Sequence, residues 1–204
     1  VTHHMVGRQI EQREQIARRE RGPVILKVDR LSLPHAMSGH RDLLREISFE
    51  LHSGEVLGIA GLMGAGRTEL LESLFGATSE DPQGTISIAG RPVTFRHPEE
   101  AVQQGLALVP EDRKRQGLFS HMNVRENISL CSLAELATIG VVQRHREMSH
   151  VDDAIALLSV KTGNREAAIT SLSGGNQQKC IMARWLETRP SVLLLDDPTR
   201  GVDV

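Results

Sequence analysis

The sequence predicts an α/β fold with a parallel-sheet core, an antiparallel β portion near its start and a helical subdomain in its middle. Short apolar runs of four or five residues alternate with segments of helical spacing, which is the pattern of strands and helices around a parallel sheet. An early run of alternating apolar and polar residues indicates a half-buried strand. A mostly helical pattern over residues 123–160, within a predicted helical subdomain of about 123–175, lies between the last two predicted strands.

The composition is that of an ordinary globular protein. A formal net charge of −2 gives no bias towards nucleic acid or an anionic membrane surface. No run approaches the roughly 18 apolar residues that a membrane-spanning helix needs. The first residues lack the apolar segment of a signal peptide. The 204 residues are enough for one large domain with its own core.

The first quarter of the chain predicts a linker followed by strands. Residues 7–22 are almost wholly polar and indicate a linker. Residues 24–28 and the alternating residues 45–51 predict two strands, with a turn at residues 52–54. Residues 56–60 (VLGIA) are apolar and predict a short buried strand that leads into a glycine-rich segment.

The later elements alternate between helix and strand. In chain order, the predicted elements are a helix over 68–75 ended by Gly76, a hairpin about Ala89-Gly90, a short helix from 97 ended by Gly105, a strand over 106–109, mostly helix over 123–160, a helix over 176–187 and a strand over 192–195.

The glycine-rich segment has the spacing of a phosphate-binding loop, G-x-x-x-x-G, a basic residue, then Ser or Thr. Glycines let backbone N–H groups turn around phosphates, the following helix adds its positive end, and the Thr hydroxyl can bind Mg²⁺. Arg67 departs from the usual Lys, and the two side chains differ in shape and hydration. Taken alone, the segment also fits a plain glycine turn before a helix. Its residues are Gly61, Leu62, Met63, Gly64, Ala65, Gly66, Arg67 and Thr68.

A second phosphate-transfer element lies near the end of the chain. Residues 192–195 (VLLL) predict a buried strand that ends in Asp196 and Asp197. This arrangement delivers one carboxylate to a metal ion and places the next where a general base acts.

The segment LSGGNQQK, residues 172–179, stands about twenty residues before that strand. Ser173 is expected to cap the following helix, and the glycines allow backbone donors and a hydroxyl to approach a phosphate. The six candidate residues are Leu172, Ser173, Gly174, Gly175, Asn176 and Gln177.

These motifs, in this order, resemble an ATP-binding cassette. With TEL (68–70), VPEDRK (109–114) and PTRGVD (198–203), they resemble the second, C-terminal cassette of monosaccharide-importer ATPase subunits of the ribose, galactose and xylose type. The resemblance implies a P-loop NTPase of the ABC-ATPase fold over residues 23–204, after a linker from a preceding cassette over residues 1–22. Because that family continues with a further strand and a switch histidine, we expect the domain to be incomplete at its C-terminus.

The resemblance also implies the cofactors and the roles of residues. ATP and Mg²⁺ are expected, with Thr68, Asp196 and Glu111 at the metal and with Asp197 and Glu111 at the catalytic positions. The signature residues 172–177 would contact the nucleotide of a partner cassette, and Asp203 would be the D-loop residue at that interface.

The implied partners are a first nucleotide-binding domain of the same or another chain, transmembrane permease subunits and, indirectly, a periplasmic sugar-binding protein. Nucleic acid is not expected among them. The implied location is the cytoplasmic, inner face of the cell membrane.

Three departures predict a degenerate ATP site beside an intact signature. They are Arg67 for Lys, Glu111 for Gln and Asp197 for Glu, the last of which shortens the carboxylate by one methylene. We expect the isolated chain to be a weak or inactive ATPase. Two alternatives are open: a soluble ABC-type ATPase acting on nucleic acid or the ribosome, for which residues 113–115 (RKR) offer a basic cluster, and a regulatory ATP-binding module without turnover.

Overall fold

The computed structural model describes residues 21–35 and 42–199. The predicted linker over residues 1–22 lies almost wholly outside this part of the chain, and so does Asp203. No helix in the described ranges is both long and apolar enough to cross a bilayer.

An antiparallel sheet of four strands forms the first part of the fold, in the order β2-β1-β3-β4. Its members are β1 (Val24–Leu33), β2 (Leu44–His52), β3 (Gln83–Ile88) and β4 (Arg91–Val93). The predicted strands over 24–28 and 45–51 are confirmed and extended. The predicted hairpin is also confirmed, because Ala89 and Gly90 have φ of +47° and +78°, as a two-residue hairpin of the tight primed type requires.

The parallel core is a pair of strands, β5 (Leu106–Val109) and β8 (Val192–Leu195). They run in register, with Leu106 opposite Val192 and Val109 opposite Leu195. Helices α1 (Arg67–Phe75) and α2 (Pro98–Gln103) pack on β5. Because the two strands are parallel, the residues that follow Val109 and Leu195 emerge at the same edge of the pair.

The predicted strand over residues 56–60 is wrong. The segment from residue 55 to 62 forms no strand, and Val56 is 96% exposed. A strand exists only where its backbone N–H and C=O groups pair with a neighbour, and an apolar run alone does not supply that neighbour. Among the described residues this segment lies beside β8 across a cleft and is not paired with it.

The helical subdomain contains α3 (Val124–Ser129), α4 (Leu133–Leu136) and α5 (Arg144–Leu157). It also contains a small hairpin, β6 (Ala137–Thr138) and β7 (Val141–Val142), within the stretch predicted as mostly helical. Helix α6 (Gly174–Glu187) follows and begins two residues before the predicted start. A π-helical turn, Arg113–Gly117, joins β5 to this subdomain.

Two hydrophobic clusters share α6 as a common wall. One lies under the sheets and includes Leu26, Leu74 and Leu106, and Trp185 of α6 packs against it. The other fills the helical subdomain and includes Cys180 of α6. Helix α6 therefore ties the segment 172–177 at its start to both parts of the fold.

Candidate nucleotide-binding site

The glycine loop has a backbone that only glycine adopts readily. Gly64 and Gly66 have φ of +76° and +84°, in the left-handed region. A Cβ at Gly66 would lie 2.9 Å from the Leu43 carbonyl oxygen and from Leu44 Cδ2, whereas a Cβ at Gly64 would meet nothing within 4 Å. Gly66 is the residue before α1, and its carbonyl accepts a hydrogen bond from the Leu70 N–H at 2.9 Å. The loop therefore leads directly into the positive end of a helix.

Within residues 61–67 the loop is exposed except at Gly66, which is buried. Leu62 and Met63 hold their apolar side chains in solvent, at 85% and 99% exposure. Neither side chain contributes to the core. Because both side chains are apolar, only the backbone N–H groups of these two residues can bind a phosphate.

The glycine loop and the acidic end of β8 meet at Thr68 and Asp196. The Thr68 hydroxyl donates a 2.7 Å hydrogen bond to Oδ2 of Asp196, although the residues are 128 positions apart in sequence. Asp196 is buried, and its backbone N–H donates to the Val109 carbonyl at 3.0 Å. A hydroxyl and a carboxylate are hard oxygen donors, and proteins bind Mg²⁺ through one or two such groups with phosphates and water completing the shell. The donor set at this point therefore fits Mg²⁺.

Arg67 and Asp197 lie on the same cleft as Asp196. This cleft has a volume of about 370 Å³ and separates β8 from the segment 54–59, with Leu57, Leu71 and Val192 among its apolar walls. Arg67 and Asp197 are exposed, so the cleft carries both signs of charge at its rim. Asp197 has φ of +40°, a left-handed conformation that Asp and Asn tolerate better than most residues.

Glu111 stands two residues after β5, at the edge where Asp196 follows β8. The register of Val109 with Leu195 places the two carboxylates after neighbouring strand ends. Glu111 is half-buried and is not among the residues that line the cleft.

The sequence alone did not single out Glu72. It follows Thr68 by four positions on α1, a spacing that puts both on one face of the helix and was the available signal. Burial raises the pKa of the Glu72 carboxyl, and the negative charges of Glu69 and Asp196 raise it further. Glu72 therefore lies close enough to Asp196 for the two carboxyl groups to interact electrostatically.

Residues 172–177 form a separate group, and no member of this group lines the cleft. Ser173 precedes α6 with an extended backbone and is exposed. The expectation that its hydroxyl caps α6 is wrong, because Ser173 makes no side-chain cap hydrogen bond. The Ser173 oxygen instead accepts from Asn176 Nδ2 at 2.9 Å, so a neighbouring side chain displaces the backbone N–H as its partner.

The other members of the segment hold it in place. Leu172 packs against the core of the helical subdomain. Gln177 donates its backbone N–H to the Ser173 carbonyl at 2.9 Å and its side-chain amide to the Ile169 carbonyl at 3.3 Å. Gly174 and Gly175 form the first turn of α6 and are half-buried.

Arg184 is a second residue that sequence reasoning missed. It is buried on α6, and its guanidinium donates to the Gly117 carbonyl at 2.7 Å and to Oδ1 of Asn127 at 2.9 Å. The guanidinium also lies 5.1 Å from the centre of the Phe119 ring. One side chain thus joins α6, α3 and the turn that follows Glu111. A basic residue in an amphipathic helix gave no signal for this, because such residues usually face solvent.

Comparison with known proteins identifies a family. The sequence model of the family described as "ABC transporter" matches residues 44–200. The ribose import ATP-binding protein RbsA of Geobacillus kaustophilus is 46% identical over 200 residues, which cover 98% of this chain and 39% of that protein. The xylose import ATP-binding protein XylG of Photobacterium profundum is 44% identical over the same share of each chain. The chain thus spans about two fifths of the length of these relatives.

Solved structures show the same fold. The dimeric ATP-binding cassette MJ0796, in a post-hydrolysis state bound to ADP and Pi, has a TM-score of 0.73 at 19% identity and covers 88% of this chain and 76% of its own. The cbiO1 protein of Clostridium perfringens, part of the ABC transporter complex cbiONQ, has a TM-score of 0.69 at 25% identity and covers 88% of this chain and 68% of its own.

Proposed function

Because the chain belongs to the ABC transporter family of ATP-binding domains and has the ABC-ATPase fold, we propose that it serves a monosaccharide importer by coupling ATP binding and hydrolysis to transport. The observation that carries the proposal is the contact of Thr68 with Asp196 at the mouth of the glycine loop. The ribose and xylose import functions of the similar proteins support the choice of cargo class.

The nucleotide of this domain would lie on the glycine loop, residues 61–68, with its phosphates at the start of α1. Thr68 and Asp196 would hold Mg²⁺, with Glu111 close by at the same sheet edge. The ion would neutralise charge that develops on the transferred phosphoryl group. Asp197 would orient the attacking water, and Arg67 would face the phosphates.

The domain's own site would turn over slowly. Asp197 is shorter than the Glu that usually acts at this position in the family, and a displacement of about 1 Å can cost on the order of 100-fold in rate. Arg67 is bulkier than Lys and presents a planar fork in place of a compact ammonium.

The signature segment would make the larger contribution to catalysis. Ser173 is exposed, and with the half-buried Gly174 and Gly175 it stands at the start of a 14-residue helix, where a hydroxyl and backbone donors can meet a phosphate of the partner's ATP. We propose that this chain is the second cassette of its transporter and lends this segment to the site of a first cassette. Asp203, outside the described residues, would lie at the interface between the two.

The wider assembly follows from the same proposal. Permease subunits would carry the sugar, a periplasmic binding protein would deliver it, and this chain would work at the inner face of the membrane. Residues 1–22 would be the linker from the first cassette, residues 23–204 the nucleotide-binding domain, and residues 123–175 its helical subdomain.

Two substitutions separate the roles of the two sites. In the complete transporter complex that contains this chain, we expect Ser173→Ala to lower sugar-coupled ATP turnover about 100-fold, since a preorganised donor to the reacting phosphate is lost. Asp197→Asn keeps the backbone preference and removes only the charge, and we expect it to lower turnover less than twofold. The measurement is the ATPase rate with radiolabelled sugar uptake in proteoliposomes.

The opposite ranking of these variants would assign turnover to this domain's own site and refute the asymmetry. If the chain binds ATP and neither variant changes the turnover of the complex, the regulatory ATP-binding module is the function that remains.

A further inference from the structure

Asn176 occupies a bridging position between the signature serine and a neighbouring loop. Its Oδ1 accepts a hydrogen bond from the Lys161 backbone N–H at 2.7 Å, and its Nδ2 donates to Ser173 Oγ at 2.9 Å. The residue is half-buried on the first turn of α6. Its amide therefore links the loop over residues 159–161 to an exposed hydroxyl.

The direction of the Asn176 amide is fixed by the loop. A backbone N–H can only donate, so the amide oxygen must face Lys161 and the amide nitrogen must face Ser173. The loop is itself held on α6, because Lys179 Nζ donates to the Ser159 carbonyl at 3.0 Å. Ser159 has φ of +50°, a conformation that makes the tight turn into this loop. Asn176 and Lys179 thus clamp the loop at two points one helical turn apart.

This arrangement restricts where the Ser173 proton can point. A hydroxyl has one proton and two acceptor positions, and one acceptor position of Ser173 is taken by the Asn176 amide. The proton cannot point at a group that is itself donating. Two positions remain for the proton, and because Ser173 is exposed and makes no cap hydrogen bond to α6, the space in front of the helix start is open to it.

We propose that Asn176 is a positioning residue that sets the direction of the Ser173 proton for donation to the terminal phosphate of the partner cassette's ATP. This inference rests on the proposed function, since it requires the segment 172–177 to face a partner's nucleotide. Asn176 acts through Ser173, so its contribution is pre-orientation of the hydroxyl. Without it the hydroxyl must be oriented at each turnover, and donors that are aimed before reaction contribute most to transition-state stabilisation.

Substitution by Asp tests the direction of the amide. A carboxylate at position 176 still accepts from Lys161 but accepts from Ser173 as well, so the serine proton turns back towards the helix. It also brings a negative charge towards the phosphate. In the complete transporter complex we expect Asn176→Asp to lower kcat by 10-fold to 100-fold, as roughly expected for a misdirected donor, and to leave the KM for ATP within about threefold.

Coupling to Ser173 distinguishes positioning from a structural role. In a Ser173→Ala background we expect Asn176→Ala, which removes the amide and adds no charge, to cause almost no further loss, because the hydroxyl it orients is absent. In the same background Asn176→Asp should lose the part of its effect that acts through the hydroxyl and keep only the cost of its charge. Asn176→Ala also serves as the second variant if the carboxylate impairs folding.

A control substitution makes the same chemical change elsewhere in the subdomain. Asn164 is exposed, and its Oδ1 accepts from the Glu166 N–H at 2.7 Å, a bond that Asp can also make. We expect Asn164→Asp to leave the rate of ATP turnover unchanged. Melting temperatures of all variants report whether folding is intact.

Two results would count against different claims. If Ser173→Ala leaves turnover unchanged, the proposed function of the segment fails. A different result would refute the role of Asn176 while the function of the signature stands. That result is a loss of turnover in Ser173→Ala together with wild-type turnover in Asn176→Asp, or a substitution at position 176 that lowers turnover by the same factor with and without the Ser173 hydroxyl.

Discussion

Gly66 shows how a single backbone angle positions the site. It combines a left-handed φ of +84° with close neighbours, whereas Gly64 has φ of +76° and open space around its Cα. The two positions therefore separate the cost of the angle from the cost of the contact. Both glycines lie in the loop over residues 61–68. The spacing of the glycines before a helical pattern was enough to predict a sharp turn at this point.

Substituting alanine at each glycine measures the two costs. We expect Gly64→Ala to lower the free energy of unfolding by about 1 kcal/mol, the cost of a left-handed L-residue. Gly66→Ala adds a contact with the Leu43 carbonyl that must be relieved, so we expect a further loss of about 1–3 kcal/mol. Urea unfolding followed by circular dichroism measures both, and equal losses would show that the close contact relaxes without cost.

At the scale of elements, the helical subdomain is organised around a buried guanidinium. Arg125 at the start of α3 is 7% exposed, and its Nη1 donates to Oε1 of Glu147 on α5 at 2.7 Å. The same oxygen accepts from the Ser129 hydroxyl, and Arg125 Nε donates to Glu166 at 2.9 Å. The hydrogen bonds from Arg125 also hold the pKa of the Glu166 carboxyl below its usual range. This network fixes α3 against α5 and against the residues that lead to the signature.

Removing one charged partner of that network should lower the free energy of unfolding more than replacing both partners by apolar residues. We expect Arg125→Met to destabilise the protein by about 3–5 kcal/mol, because it leaves the buried carboxylate of Glu147 without its cationic partner. The double variant Arg125→Met, Glu147→Met removes both charges, and we expect it to recover most of that loss. Thermal unfolding of the three proteins tests this, and a double variant as unstable as the single one would contradict the electrostatic account.

Helix α6 connects the elements at the scale of the whole molecule. The Trp185 ring meets Phe75 of α1 edge-on at 5.7 Å, while Cys180 and Ala183 face the core of the helical subdomain. Arg184 on the same helix holds the turn after Glu111. The glycine loop, the strand ends and the signature segment are therefore connected through one rigid element, which allows the proposed nucleotide sites to influence each other.

Ligand binding should stabilise the whole molecule in a metal-dependent way. At a free ATP·Mg²⁺ concentration 100 times the Kd, we expect the free energy of unfolding to rise by about 2.7 kcal/mol. With EDTA in excess we expect a smaller rise, because Thr68 and Asp196 keep their mutual hydrogen bond. Thr68→Val should lose the metal-dependent part and Thr68→Ser should keep it. Thermal shift assays give these values, and equal shifts with and without Mg²⁺ in the wild type would argue against a metal at Thr68.

Local patterns were sufficient for much of the fold. The alternation in β2, the Ala89-Gly90 hairpin and the left-handed Gly76 at the end of α1 were predictable because turn chemistry and side-chain period act over a few residues. The order of the phosphate loop, the signature and the acidic strand end was likewise sufficient to indicate the family.

Only the tertiary structure decided the features that depend on groups far apart in the sequence, namely strand pairing, burial and hydrogen bonds between elements. Residues 56–60 carry a strand pattern but lack a paired neighbour among the described residues, and no local signal shows whether one is present. The contact of Thr68 with Asp196, the burial of Arg184 and the bridge from Lys161 through Asn176 to Ser173 each join groups on separate elements. The sequence by itself determined which groups can bind phosphate and metal. The fold decided which of them meet, because pairing, burial and hydrogen-bond direction are properties of the assembled chain.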